Sequence, residues 1–223
     1  AQSKGQTDDR LMHLNNGLQS TYAMSSEDSE SQFLSFFGRA DYSFDNRIFV
    51  DASVRNDASS RFSKNHKNAT FWAVGAMWNL KNEQFLKNTS WLNSLQFKVS
   101  YGTQGNAGIG NYASLATVGE TTKYNQTAGW VLSNPGNPDL TWETATKTNI
   151  GFDLGLFDAL NLTVDYFTEV RKDIFMQRKI FPETSGFQNA PYANYGKVFN
   201  RGVDASLTFN KAFSRDTYLS VMA

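Results

Sequence analysis

The feature that most constrains this chain is a side-chain alternation running through residues 36–80. Arg39, Asp41, Ser43 and Asp45 alternate with Ala40, Tyr42 and Phe44. Beyond Asp45-Asn46 the pattern resumes, with Ile48, Val50, Ala52 and Val54 on one side and Asp51, Ser53 and Arg55 on the other. A period of two is the signature of a β-strand, and Asp-Asn between two such runs favours a tight hairpin turn. The second face carries full charges, and the apolar face runs evenly along each strand.

The pattern recurs along the chain. Strands are expected at about 32–44, 47–55 and 70–80, at 95–101 (Leu95, Phe97, Val99 and Tyr101 against Gln96, Lys98 and Ser100), and at 142–154. Further strands are expected near 160–170 and 203–209, and an eighth begins near 217 and is interrupted at Ala223. The segment 82–92 is expected to form one helical turn, and 102–140 and 171–194 are expected to be long loops. The connections after the second, fourth and sixth strands are long and the others shorter, so the long ones share one end of a meander. Long loops on one end and short turns on the other is the topology of an outer-membrane barrel, whose strands need ~9–11 tilted residues to cross. The expected fold is all-β, an antiparallel meander forming about eight strands of a large transmembrane β-barrel.

Two other architectures produce alternation. A soluble sandwich usually has shorter strands, of ~5–6 residues. A closed eight-stranded barrel would need the first and last strands to pair, whereas the final TYLSVMA stops in mid-strand and residues 1–31 read as a polar loop with a short ordered piece near 18–24. Residues 32–223 are therefore expected to be an incomplete barrel segment. Aromatics near the ends of the apolar faces (Tyr42, Phe44, Trp72, Trp78, Tyr101, Trp142, Tyr166) suit interfacial girdles. No secretory signal opens the chain, and no run reaches the ~18 apolar residues of a spanning helix.

Lysine plus arginine equals aspartate plus glutamate at 21 each, so no polyanion is implied and nucleic acid is not expected as a partner. With no cysteine, disulfides, thiol catalysis and thiolate metal sites are excluded. His13 and His66 sit far apart in polar sequence and read as solvated rather than metal-ligating. Asp41, Asp51, Asp153 and Asp165 lie on polar strand faces as hydrated or cross-strand-paired groups. The segment GTQGN at 102–106 lacks the lysine and the helix of a phosphate loop and reads as flexible. The four Asn-x-Ser/Thr sequons, at Asn68, Asn88, Asn125 and Asn161, matter only in a eukaryotic secretory setting. No cofactor, metal or catalytic group is expected. The candidate ligand or partner contacts are Tyr112, Tyr124 and Trp130 in the fourth connection, with Asn111, Asn125 and Gln126 beside them. Aromatic platforms flanked by amides suit sugars or peptides, and loop packing is the alternative reading.

The blocks FFGRADYSFDNRIFVDASVRNDASSRFSKNHKNATFWAVGAMWNL, WLNSLQFKVSYGTQGN, NPDLTWETATKTNIGFDLGLF and LNLTVDYFTEVRKDIF resemble the barrel region of SusC/RagA-type TonB-dependent outer-membrane transporters. The likeness continues through TSGF at 184–187 to NRGVDASL at 200–207. It covers about 32–208 and departs at Asp57-Ala58-Ser59-Ser60, where family members commonly carry Asp-Gly-Ser-Ser. The resemblance implies a 22-stranded barrel of which this chain supplies roughly a third. It further implies location in the bacterial outer membrane, import of oligosaccharide or peptide cargo, energy from the TonB complex acting through a plug domain, and a SusD-like surface lipoprotein over the outer mouth. A structural or adhesive β-protein whose long loops bind a partner is the alternative from a different functional class.

Overall fold

The computed structural model describes residues 29–223 apart from 125–126, 180–186, 188–189, 213 and 215–216. The chain divides into two compact units, Ala1–Ser31 and Gln32–Ala223. The expected ordered piece near 18–24, the lead-in up to residue 28 and His13 lie outside the described residues.

The described residues of the second unit form ten strands: β1 (Phe33–Phe44), β2 (Ile48–Ser59), β3 (Asn68–Asn79), β4 (Leu92–Asn106), β5 (Thr117–Tyr124), β6 (Thr127–Asn134), β7 (Glu143–Leu156), β8 (Leu160–Gln177), β9 (Tyr192–Ala212) and β10 (Tyr218–Met222). Eight form one antiparallel sheet in the order β1-β2-β3-β4-β7-β8-β9-β10, while β5 and β6 form a separate two-stranded sheet. β1 and β10 are the two edges and do not pair with each other, so this sheet is not a closed eight-stranded ring.

The turns follow local chemistry. Asp45 and Asn46 take φ of 49° and 50°, and Phe157 and Asp158 take 55° and 53°, the left-handed values of a tight hairpin. Asx residues adopt them readily; Phe157 does so with its ring 6.4 Å from that of Trp91. Between β3 and β4 a 3-10 turn at Leu80–Asn82 begins a short-connection cluster. There Lys81 donates to the carbonyls of Leu86, Lys87 and Thr89, and Glu83 accepts from Arg47 and from the Trp78 indole.

Register converts the alternation into two faces. One row across the sheet is Tyr42–Val50–Ala76–Val99–Ile150–Tyr166–Val203, and the next is Phe44–Ile48–Trp78–Phe97–Phe152–Val164–Ala205. Alternate rows belong to the other face, including Ser43–Phe49–Met77–Lys98–Gly151–Asp165–Asp204 and, further along, Arg39–Ser53–Ala73–Gly102–Lys147–Glu169–Asn200. The apolar rows are not covered by protein: Tyr42 is 63% exposed, Phe97 43% and Val203 63%. Among the described residues the buried apolar cluster is small (Phe62, Phe71, Ile109, Leu140, Trp142) and lies where the long connections meet the sheet.

Several boundaries differ from the sequence reading. β4 continues through the GTQGN segment to Asn106, paired with Glu143, so this glycine-rich stretch is strand and not a flexible loop. The fourth connection contains the β5–β6 hairpin. β8 and β9 extend into the expected loop at 171–194, reaching 18 and 21 residues. Trp142 is not a girdle residue. The ladder of β7 begins only at Glu143, and the Trp142 ring is 4% exposed inside the loop-end cluster. Tyr42, Phe44, Trp72, Trp78, Tyr101 and Tyr166 do lie on the exposed apolar face.

The glycines of β4 have a packing reason. A Cβ on Gly105 would stand 2.0 Å from the Phe71 ring, and one on Gly102 would stand 2.6 Å from the Ala73 Cβ. Gly105→Ala in the intact protein is therefore expected to cost about 1–3 kcal/mol by overpacking, and much less in a Phe71→Leu background. Gly110→Ala, with nothing within 4 Å, serves as the neutral control. Thermal unfolding of the wild type, Phe71→Leu and the three glycine variants checks this; equal midpoints for Gly105→Ala and Gly110→Ala would show that the Phe71 contact does not constrain the fold.

Candidate functional site

The second face carries most of the sheet's charged groups. Asp41 stands directly opposite Asp51, and Asp165 directly opposite Asp204. Like charges in cross-strand pairs destabilise a sheet unless water screens them. Some of these charges are compensated within the wall: Arg39 makes a forked contact with Asp41, with Nε to Oδ1 at 2.9 Å and Nη2 to Oδ1 at 2.7 Å. Lys98 pairs with Asp153, which also accepts from the Thr163 hydroxyl at 2.9 Å.

Toward the long connections this wall opens into a cleft. The β3–β4 ladder ends at Ala73–Gly102, although β3 extends back to Asn68 and β4 on to Asn106. The Thr103 hydroxyl closes the ladder end, accepting from Trp72 N at 3.1 Å and donating to Trp72 O at 3.4 Å. Above it lies a cavity of about 320 Å³ bordered by Arg55, Asp57, Phe71, Gln104, Asn106 and Trp142. A second, of about 220 Å³, shares Gln104 and Asn106 and continues to Glu143, Lys147, Glu169 and Arg171.

The polar groups of the cleft are held in place. Arg55 Nε donates to Asp57 Oδ1 at 2.5 Å, its Nη2 reaches Ser35 Oγ at 3.3 Å, and the guanidinium lies 5.9 Å from the Phe33 ring. Glu143 accepts from Asn106 Nδ2 at 2.7 Å and from Phe175 N at 2.8 Å, and Arg171 Nε donates to Glu169 at 2.5 Å. The floor is aromatic. Trp142 packs on Phe62 at 5.3 Å and edge-on to Phe71 at 5.7 Å, and donates its indole N–H to Lys67 O at 3.0 Å. Guanidinium forks, amides and carboxylates over a fixed aromatic floor can hydrogen-bond a polar ligand, and no nucleophile–base pair is among them. Among the described residues, no three His, Cys, Asp or Glu side chains are grouped to hold a metal.

The long connections interlock above the cleft. Arg61 donates to Asn111 Oδ1 at 3.0 Å and to Ala107 O at 2.9 Å, and Ser63 Oγ to Pro138 O at 2.5 Å. Asn137 Nδ2 reaches Tyr192 O at 2.9 Å. Residues 134–140 are tied by these bonds and by Leu140, whose exposure is 0%. Gly136 turns the chain there with φ of 69°.

The three candidate aromatics occupy different places. Tyr112, with φ of 64°, sits in a turn and is 44% exposed. Trp130 lies on β6 opposite Glu120 and is 76% exposed. Tyr124 ends β5, paired in backbone with Thr127, and its side chain lies outside the described residues. Tyr112 and Trp130 are thus on separate elements, and neither borders either of the two cavities. The sequence reading missed Gln104, Asn106, Glu143 and Arg171 as cleft residues. A signal was present, since Gly102, Gln104 and Asn106 continue the period-two polar face of β4.

Comparison with known proteins agrees with this geometry. The family model described as TonB dependent receptor-like, beta-barrel matches residues 4–222. TonB-dependent receptor P3 of Formosa agariphila is 34% identical over 192 residues, covering 84% of this chain and 19% of that protein. TonB-dependent receptor SusC of Bacteroides thetaiotaomicron is 29% identical over 196 residues, covering 84% of this chain and 19% of its own length. The structure of the RagAB peptide transporter superposes with a TM-score of 0.82 at 36% identity, over 96% of this chain and 24% of that one. The siderophore receptor PirA from Pseudomonas aeruginosa shares the fold, with a TM-score of 0.56 at 14% identity. The chain therefore spans about a fifth to a quarter of the length of these SusC and RagA-type relatives. It belongs to the TonB-dependent receptor-like β-barrel family of the bacterial outer membrane.

Proposed function

We propose that this chain is a wall segment of an active transporter that imports oligosaccharides or peptides across the outer membrane with TonB-derived energy. The observation that carries the reading is the pair of opposed faces. An exposed apolar face spanning the eight strands is far larger than a soluble monomer presents to water, and it is backed by a charged face that requires water. This disfavours a soluble adhesive sandwich. In this reading the apolar rows meet lipid, the charged rows line the lumen and the long connections form the outer mouth. The cleft around Arg55, Gln104 and Asn106 faces passing cargo. A SusD-like surface lipoprotein covers the mouth, and the TonB complex acts through a plug outside this chain. Transport involves carriage without a chemical step. Uptake of labelled oligosaccharides and peptides by cells carrying the intact protein is expected to stop when TonB is removed; uptake that continues unchanged sinks the proposal.

The facing assignment has its own test. Val99→Lys places a charge in hydrocarbon and is expected to destabilise the barrel by about 2–4 kcal/mol. Its neighbour Ser100→Lys, on the lumen face, is expected to change stability by less than about 1 kcal/mol. The folded fraction in the outer membrane and the thermal midpoint read both. Equal tolerance of the two substitutions contradicts the assignment.

In the fourth connection, Tyr124 and Trp130 are proposed to touch cargo or the lid lipoprotein, because aromatics give large contact area for little lost side-chain entropy. Tyr124→Ala combined with Trp130→Ala in the intact transporter is expected to weaken one of the two associations by tenfold or more, about 1.4 kcal/mol, with folding retained. Wild-type affinity for both cargo and lipoprotein assigns these residues to loop packing.

A further inference from the structure

The apolar face carries charge of one sign. Among its paired positions no acidic residue occurs, and all but one of its cations gather at one place, where β8 and β9 approach the long connections. Arg201 shares a row with Thr168 and Thr148, one step beyond the apolar row ending in Tyr166 and Val203. Phe199 follows, 57% exposed, and then Lys197 on β9 and Lys172 on β8, opposite Thr144. Lys172, Lys197 and Arg201 are all exposed. Among the described residues their side chains make no hydrogen bond or ion pair, and the Arg201 guanidinium has only a cation–π contact with Phe199 at 5.8 Å. Asp173, in the β8 bulge beside Lys172, forms no ion pair with any of the three; its backbone carbonyl accepts from Asn194 at 2.8 Å. Arg178 and Lys179 extend the positive charge past the end of β8. Lys211 is the other cation of this face and lies at its opposite end.

A charge placed on a lipid-facing surface is costly in hydrocarbon but not at its border, where long side chains reach the headgroup layer. Unpaired cations directly above an apolar belt, beside an exposed phenylalanine, match a ligand with a phosphate above acyl chains. We infer that Lys172, Lys197 and Arg201 form a binding site for the phosphate-bearing headgroup of an outer-leaflet lipid. The acyl chains would lie along Val203, Tyr166 and Phe199. The inference rests on the reading above that the long connections face outward.

The test uses the intact transporter in phosphatidylcholine nanodiscs doped with bisphosphorylated lipid A or with the same lipid dephosphorylated. Lipid retained after extraction is counted by native mass spectrometry. The wild type is expected to retain the phosphorylated form selectively. Lys172→Gln with Lys197→Gln and Arg201→Gln is expected to retain on the order of a hundredfold less, and Lys172→Arg with Lys197→Arg to retain as much as wild type. Single glutamine variants keep the test open if the triple variant does not fold, as read by its heat-modified electrophoretic mobility. Equal retention of the two lipids by wild type, or undiminished retention by folded glutamine variants, overturns the site. Displacement by inorganic phosphate alone overturns its assignment to a lipid. Cargo uptake is scored in parallel, so loss of lipid selectivity with normal uptake removes the site and leaves transport standing. Preference for an anionic glycerophospholipid over lipid A reverses the outward assignment and with it this inference.

Discussion

A peptide N–H or C=O in hydrocarbon has no water to bond, and each one left unpaired costs several kcal/mol. That constraint governs everything between Phe33 and Met222. It requires each crossing segment to be extended, paired on both sides and continuous through the bilayer. The β7–β8 ladder meets it without interruption from Thr144–Lys172 to Leu156–Leu160, and the bulges of the large sheet fall near strand ends, at Leu92–Ser94 and at 171–175. Among the described residues β1 and β10 are sheet edges with one unpaired side each, so the same constraint requires a partner for each outside that sheet.

Once the ladder is continuous, the pleat decides the rest. Successive side chains must face lipid and lumen in turn, so the two chemistries cannot be segregated into separate segments and must interleave. This explains how a chain with equal numbers of acidic and basic residues and no long apolar run can still belong in a membrane. It also explains the small buried core. In a soluble domain the hydrophobic effect drives collapse onto an interior; here large apolar side chains fill an uncovered face instead, with Tyr42 and Val203 each 63% exposed and Val54 51%. Only where the strands leave the bilayer does an ordinary core reappear, around Leu140 and Trp142.

This division also accounts for what could be read from residues alone. The strands were legible because lipid on one side and water on the other impose a strict period of two, as in 95–101. What lay beyond the bilayer was not. There side chains pack on one another, alternation is no longer required, and glycine and asparagine look the same in a flexible loop as in a tightly bonded one. Gly102 and Gly105 read as loop residues because the reason for each is a contact, with Ala73 and with the Phe71 ring, contributed by a strand some thirty residues earlier. Trp142 was misplaced for the complementary reason. As an aromatic at a strand end it fits a girdle, and only the register shows that β7 starts one residue later. The cleft was invisible in the same sense, since Arg55, Gln104, Glu143 and Arg171 come from four strands that only the ladder brings together.

The parting of β3 from β4 shows how a cleft can open in such a wall. Within the bilayer two strands cannot separate, because the freed N–H and C=O groups would have no partners. Above it they can, provided something ends the ladder cleanly and something fills the gap. Thr103 does the first, serving as both acceptor and donor for Trp72 with one hydroxyl. Phe71 does the second, its ring occupying the space that Gly105 leaves and resting on Trp142. The result is a concave, water-lined place on the lumen wall whose polar side chains are fixed by one another, Arg55 by Asp57 and Asn106 by Glu143. A wall built wholly of continuous ladder would be smooth and could not discriminate among solutes. The cleft and the long connections are thus found together, at the level where the bilayer stops imposing pairing.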